Sequence, residues 1–290
     1  MKLLLILFAL SATLFANKAF IEPQELYNQL NNKNLVLIDT TDKESYEKEH
    51  IKGARRADIS AFRHWVNDQY MLMNSPADIQ NAARALGINN DSYVVLYGHN
   101  KPKELLKASY IALALIVNGF ENISILNGGF QSFKKEMGSK KDAFSQKTLS
   151  FSPGNFKANY NPNILVDMQY VKESIGKTSM IEARPKKFYN GEANSPGVAR
   201  LGHITNAKSS YWQEKFSDEE KLADDSKLKK IFLDENALSK DKEVITYCTG
   251  GLEASMNWYI LTQYLQFKDV KLYDASMKEW GNKQDTPMQK

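Results

Sequence analysis

Cysteine is almost absent from this sequence, in which Cys248 is the only one among 290 residues. A single cysteine excludes an internal disulfide framework. Histidine is scarce too, with four residues, and no group of cysteines and histidines has the spacing of zinc ligands. We therefore expect neither a metal nor another cofactor.

An excess of one charge sign is also lacking. The 38 basic and 34 acidic residues give a net charge of +4, and the lysines are scattered along the chain. Scattered charge is typical of a solvated surface, so we expect no nucleic-acid partner. The length and composition are those of a soluble globular protein with one large or two ordinary domains.

Long apolar runs are missing except at the N-terminus. Lys2 precedes an apolar run from Leu3 to about Leu10, and small residues continue to Ala16. A membrane span needs about 20 apolar residues. The pattern predicts a signal peptide, residues 1–16, and thus a periplasmic or otherwise exported protein without stable membrane insertion after cleavage. A retained N-terminal anchor is the alternative; no cysteine follows the run, which excludes a lipoprotein anchor.

Short apolar runs alternate with helical patterns along the rest of the chain. Residues 35–38, 93–97 and 123–126 have the composition of buried strands, and helical segments lie between them. This alternation predicts an α/β fold with parallel sheets. Residues 139–163 are rich in Lys, Ser, Asn, Gly and Pro and predict a linker.

The second half of the chain repeats the first. The matching segments, in order, are 37–39 with 180–182, 48–54 with 201–207, 94–98 with 244–248 and 124–127 with 271–274. Four matches in one order indicate an internal duplication. We predict two domains of the same fold, at residues 20–138 and 164–290. Gly98 of the first copy stands where the second has Cys248.

The surroundings of Cys248 suggest a nucleophile. Val244 to Tyr247 predict a buried strand, Thr249 to Gly251 a loop, and a helical pattern begins near Leu252. A thiol at a strand's end that faces a helix N-terminus is favoured as the thiolate by loop amides and the helix dipole. The alternative is a small, buried, apolar cysteine without chemistry.

Several motifs resemble those of the tandem-domain rhodanese family, over about residues 20–290. His50 to Ala54 and Gly202 to Ile204 are similar to its G-H-I-x-G-A turn. Asp274 to Gly281 is similar to its D-G-S-W-x-E-W-G ending, and Glu182 to Arg184 to its D-x-R strand end. The resemblance implies two rhodanese-like domains, each a short parallel sheet flanked by helices, with an inactive first domain and a catalytic second one.

The resemblance also implies an activity, that of a sulfurtransferase. Cys248 would take a sulfane sulfur from a small anionic donor, thiosulfate or 3-mercaptopyruvate, and hold it as a persulfide. Cyanide or a thiol would then accept the sulfur. The alternative is a persulfide carrier or binding protein that uses the same scaffold without turnover, and the unusual loop containing Glu253 favours this alternative.

The predicted substrate-binding residues lie in two segments. Arg184 matches the D-x-R arginine and is the predicted clamp for the donor's anionic group; a surface or interdomain salt bridge is the alternative. Lys187 and Arg200 are further candidates in that segment. The others belong to the cysteine loop: Thr249, Gly250, Gly251, Leu252 and Glu253.

This loop matches neither of the family's usual patterns. Thiosulfate-using members often carry basic residues there, and mercaptopyruvate-using members tend to read C-G-S-G-V-T. Glu253 would oppose thiolate formation, although a glutamate in the first turn of a helix is also ordinary dipole complementation.

Two other cysteine enzymes fit less well. A cysteine-dependent phosphatase would need an arginine at the position of Ala254. A cysteine protease needs an oriented histidine partner, and the chain order offers none. His50 and His203 occupy matching turns of both copies, including the copy without a cysteine, which predicts a structural hydrogen-bonding role for both.

Overall fold

The computed structural model of the chain describes residues 18–99 and 102–290. The predicted signal peptide, residues 1–16, lies outside the described residues. Within these two ranges, no helix combines the length and apolar character that a membrane crossing requires.

The first domain alternates helices and strands. Its helices are α1 (Pro23–Gln29), α2 (Lys43–Lys48), α3 (Pro76–Ala85), α4 (Pro102–Val117) and α5 (Gly129–Met137). Its strands are β1 (Phe20–Ile21), β2 (Leu35–Asp39), β3 (His50–Ile51), β4 (Arg55–Arg56), β5 (Arg63–Val66), β6 (Tyr70–Met73), β7 (Tyr93–Tyr97), β8 (Ile123–Leu126) and β9 (Phe144–Ser145). Short 3-10 turns cover Ile59–Ala61 and Lys141–Ala143.

The second domain has the same alternation. Its helices are α6 (Met168–Ser174), α7 (Lys186–Tyr189), α8 (Asp225–Lys229), α9 (Leu252–Tyr259) and α10 (Ser276–Trp280). Its strands are β10 (Leu165–Val166), β11 (Ser179–Glu182), β12 (His203–Ile204), β13 (Lys208–Ser209), β14 (Val244–Tyr247), β15 (Val270–Tyr273) and β16 (Met288–Gln289). A 3-10 turn covers Trp212–Lys215, and π-helical turns extend α8 and α9 over Lys230–Glu235 and Ile260–Tyr264.

Each domain is built on a five-stranded parallel sheet, and the two sheets have equivalent strand orders. The first sheet runs β1-β8-β7-β2-β4 and the second β10-β15-β14-β11-β13. The central strands β7 and β14 are buried almost throughout, which explains their unbroken apolar runs. The duplicated α/β fold predicted from the sequence is confirmed.

Local sequence signals account for the ends of several elements. The side chain of Ser75 accepts a hydrogen bond from the Asp78 amide at 3.3 Å, and Pro76 occupies the first turn of α3. Gly87 follows the helix with φ +68°, a left-handed conformation that glycine adopts without strain. These local signals account for the bounds of α3, Pro76–Ala85.

The segment between the domains follows the surface of the first one. The limits 20–138 and 164–290 stay predictions, and the structure adds a short strand inside the predicted linker, because β9 pairs antiparallel with β3. Further along, the Phe156 amide donates to the Ile88 carbonyl at 3.1 Å and the Asn159 amide to the Asn118 carbonyl at 2.8 Å. These bonds tie the linker to the first domain.

The two domains share an extensive interface. Helices α4 and α9 pack together, and the hydroxyls of Ser109 and Ser255 form a 2.8 Å hydrogen bond between them. The hairpin formed by β5 and β6 leaves the first domain and contacts the second, where the Met73 amide donates to Asp274 Oδ2 at 2.7 Å. The hairpin therefore lies beside the loop that carries Cys248.

Candidate active site

Cys248 lies directly after β14, at the carboxyl edge of the second sheet. β14 is hydrogen-bonded on both sides, by β11 and β15, and α9 begins four residues after the cysteine at Leu252. The arrangement of strand, loop and helix is the one that the sequence predicts. The thiol is fully buried.

The loop after Cys248 directs backbone amides at the sulfur. The N–H groups of Gly250, Glu253 and Ala254 donate toward it, and each favours the thiolate. A ring of amides around one atom is a site for a negatively charged sulfur. The sulfur therefore has the surroundings of an anion, although it is buried.

The turn after β15 fixes this loop from the other side. The Cys248 amide donates to the Ser276 hydroxyl at 3.0 Å, and the Cys248 carbonyl accepts from the Met277 amide at 3.0 Å. The Lys278 amide donates to the Thr249 carbonyl at 2.9 Å. The segment Asp274 to Lys278, at the start of α10, thus supports the cysteine loop.

The two glycines of the loop have different roles. Gly251 has φ +87°, and a Cβ there would lie 2.1 Å from Asp274 Oδ1. Only glycine fits at this position. A Cβ at Gly250 would meet nothing nearer than Lys278 Cδ at 3.6 Å, which is ordinary contact.

Burial outweighs the amides in setting the protonation of the thiol. Desolvation and then the charge of Glu253 raise the pKa of Cys248 to about 12. The sequence predicted that the loop amides and helix dipole favour the thiolate; those amides are present, but the full burial of the sulfur reverses the net effect. At neutral pH the thiol is protonated.

Glu253 is the acidic group of this site. Its carboxylate accepts hydrogen bonds from the Cys248 thiol and, at 3.4 Å, from the Thr249 amide. Burial raises the pKa of Glu253 as well. The charge of Glu253 thus disfavours ionisation of the Cys248 thiol, whereas the thiol's hydrogen bond favours the ionised carboxyl and lowers the pKa of Glu253.

Arg184 is enclosed by the second domain. Its guanidinium pairs with Glu182, donates to the Ser195 hydroxyl at 3.0 Å and donates to the Gly202 carbonyl at 2.7 Å. Only 1% of its side chain is exposed. The donor-clamp role of Arg184 stays a prediction. Its salt bridge is neither at the surface nor between the domains, as the alternative had it, but buried within the second domain, where it has a structural role.

The other predicted basic residues differ in exposure. Lys187 is exposed on α7, and its ammonium lies 5.1 Å from the Phe188 ring centroid. Arg200 donates to the carbonyls of Trp280 and Thr286, each at 2.9 Å, so its guanidinium holds the C-terminal segment. Their substrate-binding roles, like that of the half-buried Leu252, stay predictions.

The matching loop of the first domain has no room for a cysteine. A Cβ at Gly98 would lie 2.7 Å from the backbone carbonyl carbon of Glu104. The neighbouring His99 stacks on Phe130 with ring centroids 4.0 Å apart and contacts Asp39 at 3.2 Å. This packing fits a first domain without a nucleophile.

The two matching histidines have equivalent structural contacts. His50 stacks on Tyr46 and its Nδ1 lies 2.7 Å from the Tyr46 carbonyl. His203 stacks on Tyr189 and its Nδ1 lies 2.9 Å from the Tyr189 carbonyl. Both contacts agree with the structural role predicted from the duplication.

Sequence reasoning missed three residues beside the cysteine loop. Arg63, in β5 of the first domain, donates from Nη2 to the Gly250 carbonyl at 2.6 Å. The Tyr110 hydroxyl, on α4, donates to Asp274 Oδ2 at 2.8 Å. Only Asp274 lay in a recognisable motif; no local signal connects Arg63 or Tyr110 to a loop in the other half of the chain.

One further basic residue borders the loop. Lys278 is half-buried, with its Nζ 4.7 Å from the Trp65 ring centroid and its stem beside Gly250. In the described ranges, no group of three His, Cys, Asp or Glu residues could hold a metal ion.

Comparison with known proteins agrees with this geometry. The family model for the rhodanese-like domain matches residues 22–136 and 167–283. A putative thiosulfate sulfurtransferase of Synechococcus elongatus is 27% identical over 276 residues, which cover 92% of this chain and 83% of that relative. The sulfur carrier protein TtuD of Thermus thermophilus is 27% identical over 259 residues, which cover 84% of this chain and 87% of that relative.

A solved structure supports the same assignment of fold. The crystal structure of SseA from Escherichia coli, described as a 3-mercaptopyruvate sulfotransferase, superposes with a TM-score of 0.75 at 25% identity. The match covers 90% of this chain and 99% of that one. Both domains are included, so the likeness extends to the tandem arrangement.

Proposed function

The chain belongs to the rhodanese family, and we propose that it is a sulfurtransferase that holds a sulfane sulfur as a persulfide on Cys248. The observation that carries this proposal is the ring of amides from Gly250, Glu253 and Ala254 around the sulfur of the chain's only cysteine. The outer sulfur of a persulfide is anionic, and preorganised N–H donors stabilise such charge.

The first half-reaction loads the cysteine. The Cys248 thiol loses its proton, and the thiolate attacks the outer sulfur of the donor. With thiosulfate, a new sulfur–sulfur bond forms on Cys248 while the donor's own sulfur–sulfur bond breaks, and sulfite leaves with the electron pair. Glu253 accepts the thiol's hydrogen bond, so its carboxylate is the group within reach to take the proton.

The second half-reaction returns the cysteine to its starting state. An acceptor with a free electron pair, cyanide or a thiolate, attacks the outer sulfur of the persulfide. The bond to Cys248 breaks, the electron pair returns to the Cys248 sulfur, and the product is thiocyanate or a new persulfide. Glu253, if protonated in the first step, can return its proton to the thiolate.

Thiosulfate and 3-mercaptopyruvate are the donors that we propose. Both are small anions, and relatives of this chain bear the names of enzymes that use them. Neither usual loop pattern is present here, so the donor has to be determined by turnover. The half-buried ammonium of Lys278 beside Gly250 is a cation that such a donor could meet.

A persulfide carrier without rapid turnover is the second candidate function. Two observations favour it: Cys248 is fully buried with its pKa raised to about 12, and one relative is named as a sulfur carrier protein. A carrier would receive its sulfur from a partner protein and would turn over small donors poorly. Its chemistry at Cys248 would otherwise be the same.

Thiocyanate formation separates the two candidates. The wild type and Cys248→Ser would be assayed in parallel with cyanide and either thiosulfate or 3-mercaptopyruvate. We expect turnover with at least one donor, and its loss in Cys248→Ser. Folded wild-type protein that turns over neither donor would contradict the enzyme and leave the carrier.

We also propose that residues 1–16 direct export, on the basis of the apolar run after Lys2. N-terminal sequencing of the mature protein from its own cells tests this. A mature N-terminus at or near Asn17 is expected. Protein that retains Met1 in the cytoplasmic fraction would contradict export.

A further inference from the structure

Arg63 connects the first domain to the chemistry of the second. It begins strand β5 of the hairpin, and only 4% of its surface is exposed. Its Nη2 donates to the Gly250 carbonyl at 2.6 Å, a contact between residues 187 positions apart in the chain. The acceptor lies two residues after Cys248, within the loop whose amides face the sulfur.

An aromatic and an acidic side chain lie close to the Arg63 guanidinium. Its carbon lies 4.5 Å from the centroid of the Tyr110 ring, a cation–π contact. The Tyr110 hydroxyl donates to the buried carboxylate of Asp274, which also feels the charge of Arg63. The same hydroxyl is close enough to Cys248 for the charge of a thiolate there to raise the pKa of Tyr110. Arg63 therefore lies with Tyr110 and Asp274 beside the cysteine loop.

Steric packing does not hold the loop at Gly250. A side chain there would make only ordinary contact, at 3.6 Å, with a flexible lysine stem. A glycine with free space around it has many accessible conformations. The Gly250 amide belongs to the preceding peptide, whose Thr249 carbonyl accepts from the Lys278 amide at 2.9 Å. The bond from Arg63 restrains the next peptide, between Gly250 and Gly251, which leads into α9 and its amides that face Cys248.

The charge of Arg63 also matters because acidic groups border the cysteine loop. Glu253 on α9 acts on the thiol, Asp274 after β15 lies against Gly251, and Tyr110 lies on α4. On the cationic side, Arg184 after β11 is paired with Glu182, and His64 acts on Asp274 from the hairpin. Lys278 on α10 lies beside Gly250 through its stem, with its ammonium over the Trp65 ring. Arg63 is the cation that bonds to the cysteine loop itself.

We propose that Arg63 of the first domain is a positioning residue for the persulfide site: it holds the peptide between Gly250 and Gly251 and supplies a positive charge beside the cysteine loop. The role of Arg63 in sulfur transfer rests on the proposed function, in which Cys248 holds the persulfide. It gives the first domain, which lacks a nucleophile of its own in the matching loop, a direct part in the chemistry of the second.

Alkylation of Cys248 by iodoacetamide tests the proposal without any sulfur donor. Because the chain has one cysteine, intact-mass measurement follows this thiol alone. The variants are Arg63→Met, Arg63→Lys and the control Arg84→Met. Arg84, also in the first domain, donates at 2.8 Å to the Phe156 carbonyl, away from the loop.

We expect Arg63→Met to be alkylated about tenfold more slowly than the wild type at each pH from about 7 to 10, because removing a nearby cation raises a thiol's pKa by about one unit. Arg63→Lys keeps the charge and should recover most of the rate. Arg84→Met should match the wild type. A rate for Arg63→Met equal to or above that of the wild type overturns the proposal.

If Arg63→Met does not fold, Arg63→Lys still decides. A wild-type alkylation rate together with a raised KM or a lowered kcat for sulfur transfer indicates that the guanidinium positions the loop. Wild-type values of all three overturn the proposal. If the wild type forms no thiocyanate but the alkylation rates differ as expected, the proposed function fails and the role of Arg63 stands.

Discussion

The thiol of Cys248 donates a hydrogen bond to the carboxylate of Glu253, in the first turn of the helix that follows the cysteine. Burial raises the pKa of both groups. The charge of Glu253 raises the pKa of Cys248 further, whereas the thiol's hydrogen bond lowers the pKa of Glu253. The pair holds the thiol protonated at rest while keeping a proton acceptor in contact with it. The contact with Glu253 therefore adds a carboxylate to the backbone amides that face the sulfur.

Glu253→Gln should make the thiol more acidic. The substitution removes the negative charge that, after burial, contributes most to the raised pKa of Cys248. A fall of one pKa unit corresponds to about tenfold more thiolate at a given pH below the pKa. The rate of iodoacetamide alkylation near pH 8 should rise by about this factor. The exposed Glu173→Gln on α6 is the control and should leave the rate unchanged.

Substitution at the two loop glycines should give opposite outcomes. Gly251→Ala would force a side chain into a left-handed conformation, 2.1 Å from Asp274 Oδ1. We expect it to lose most sulfur transfer and to unfold at a lower temperature. Gly250→Ala adds the same methyl group where the nearest atom is at 3.6 Å and should keep most activity. Equal losses in both variants would contradict the assigned loop geometry.

Arg184→Ala should act mainly on stability. It would leave the buried carboxyl of Glu182 without its ionic partner, and breaking a buried pair in this way costs about 3–5 kcal/mol. Denaturant unfolding measures the loss, and the exposed Lys187→Ala, three residues away in the chain, is the control. A variant of unchanged stability that has lost donor binding would instead establish Arg184 as the clamp that the sequence predicted.

The buried thiol should also make stability depend on pH. The pKa of Cys248 is about 12 in the folded protein and returns to the ordinary value, about 8.5, on unfolding. The folded state then keeps a proton that the unfolded state loses, so the thiol's contribution to stability is complete below about pH 8.5 and declines as the pH rises toward 12.

Comparison of the wild type with Cys248→Ser isolates this contribution. Between about pH 9 and 10.5, the free energy of unfolding of the wild type should fall more steeply, by at most about 1.4 kcal/mol per pH unit. Tyrosines titrate in both proteins, so their effect cancels in the difference. Parallel curves would mean that the thiol has an ordinary pKa in the folded state.

The sequence was sufficient to predict those features of the fold and of the site that depend on residues close together in the chain. The run from Val244 through Gly251 predicts a strand, a loop and a helix because each signal is local, and the repeated motifs predict the duplicated sheet. The full burial of Cys248 could not be predicted in this way. It depends on contacts that the hairpin and α4 make with the second domain, and both elements lie far from Cys248 in the sequence.

Arg63 and Arg184 also show that the role of a residue can depend on contacts that the local sequence does not predict. Arg184 fits a motif and follows a strand end, yet its partners Ser195 and Gly202 come from a later loop and enclose it. Arg63 fits no motif, yet the hairpin brings it to the Gly250 carbonyl. In both cases contacts between distant residues decide the role, and composition or spacing does not encode them.

The central claim, that Cys248 carries the transferred sulfur, is tested most directly by intact-mass measurement after incubation with each donor and removal of excess reagent. We predict a mass increase of one sulfur atom on the wild type, absent from Cys248→Ser and reversed by cyanide. The same result holds for an enzyme or a carrier, provided that a carrier is loaded by its partner protein. Sulfur bound equally by Cys248→Ser would contradict the account, and so would a wild type that is loaded neither by the small donors nor by a partner protein.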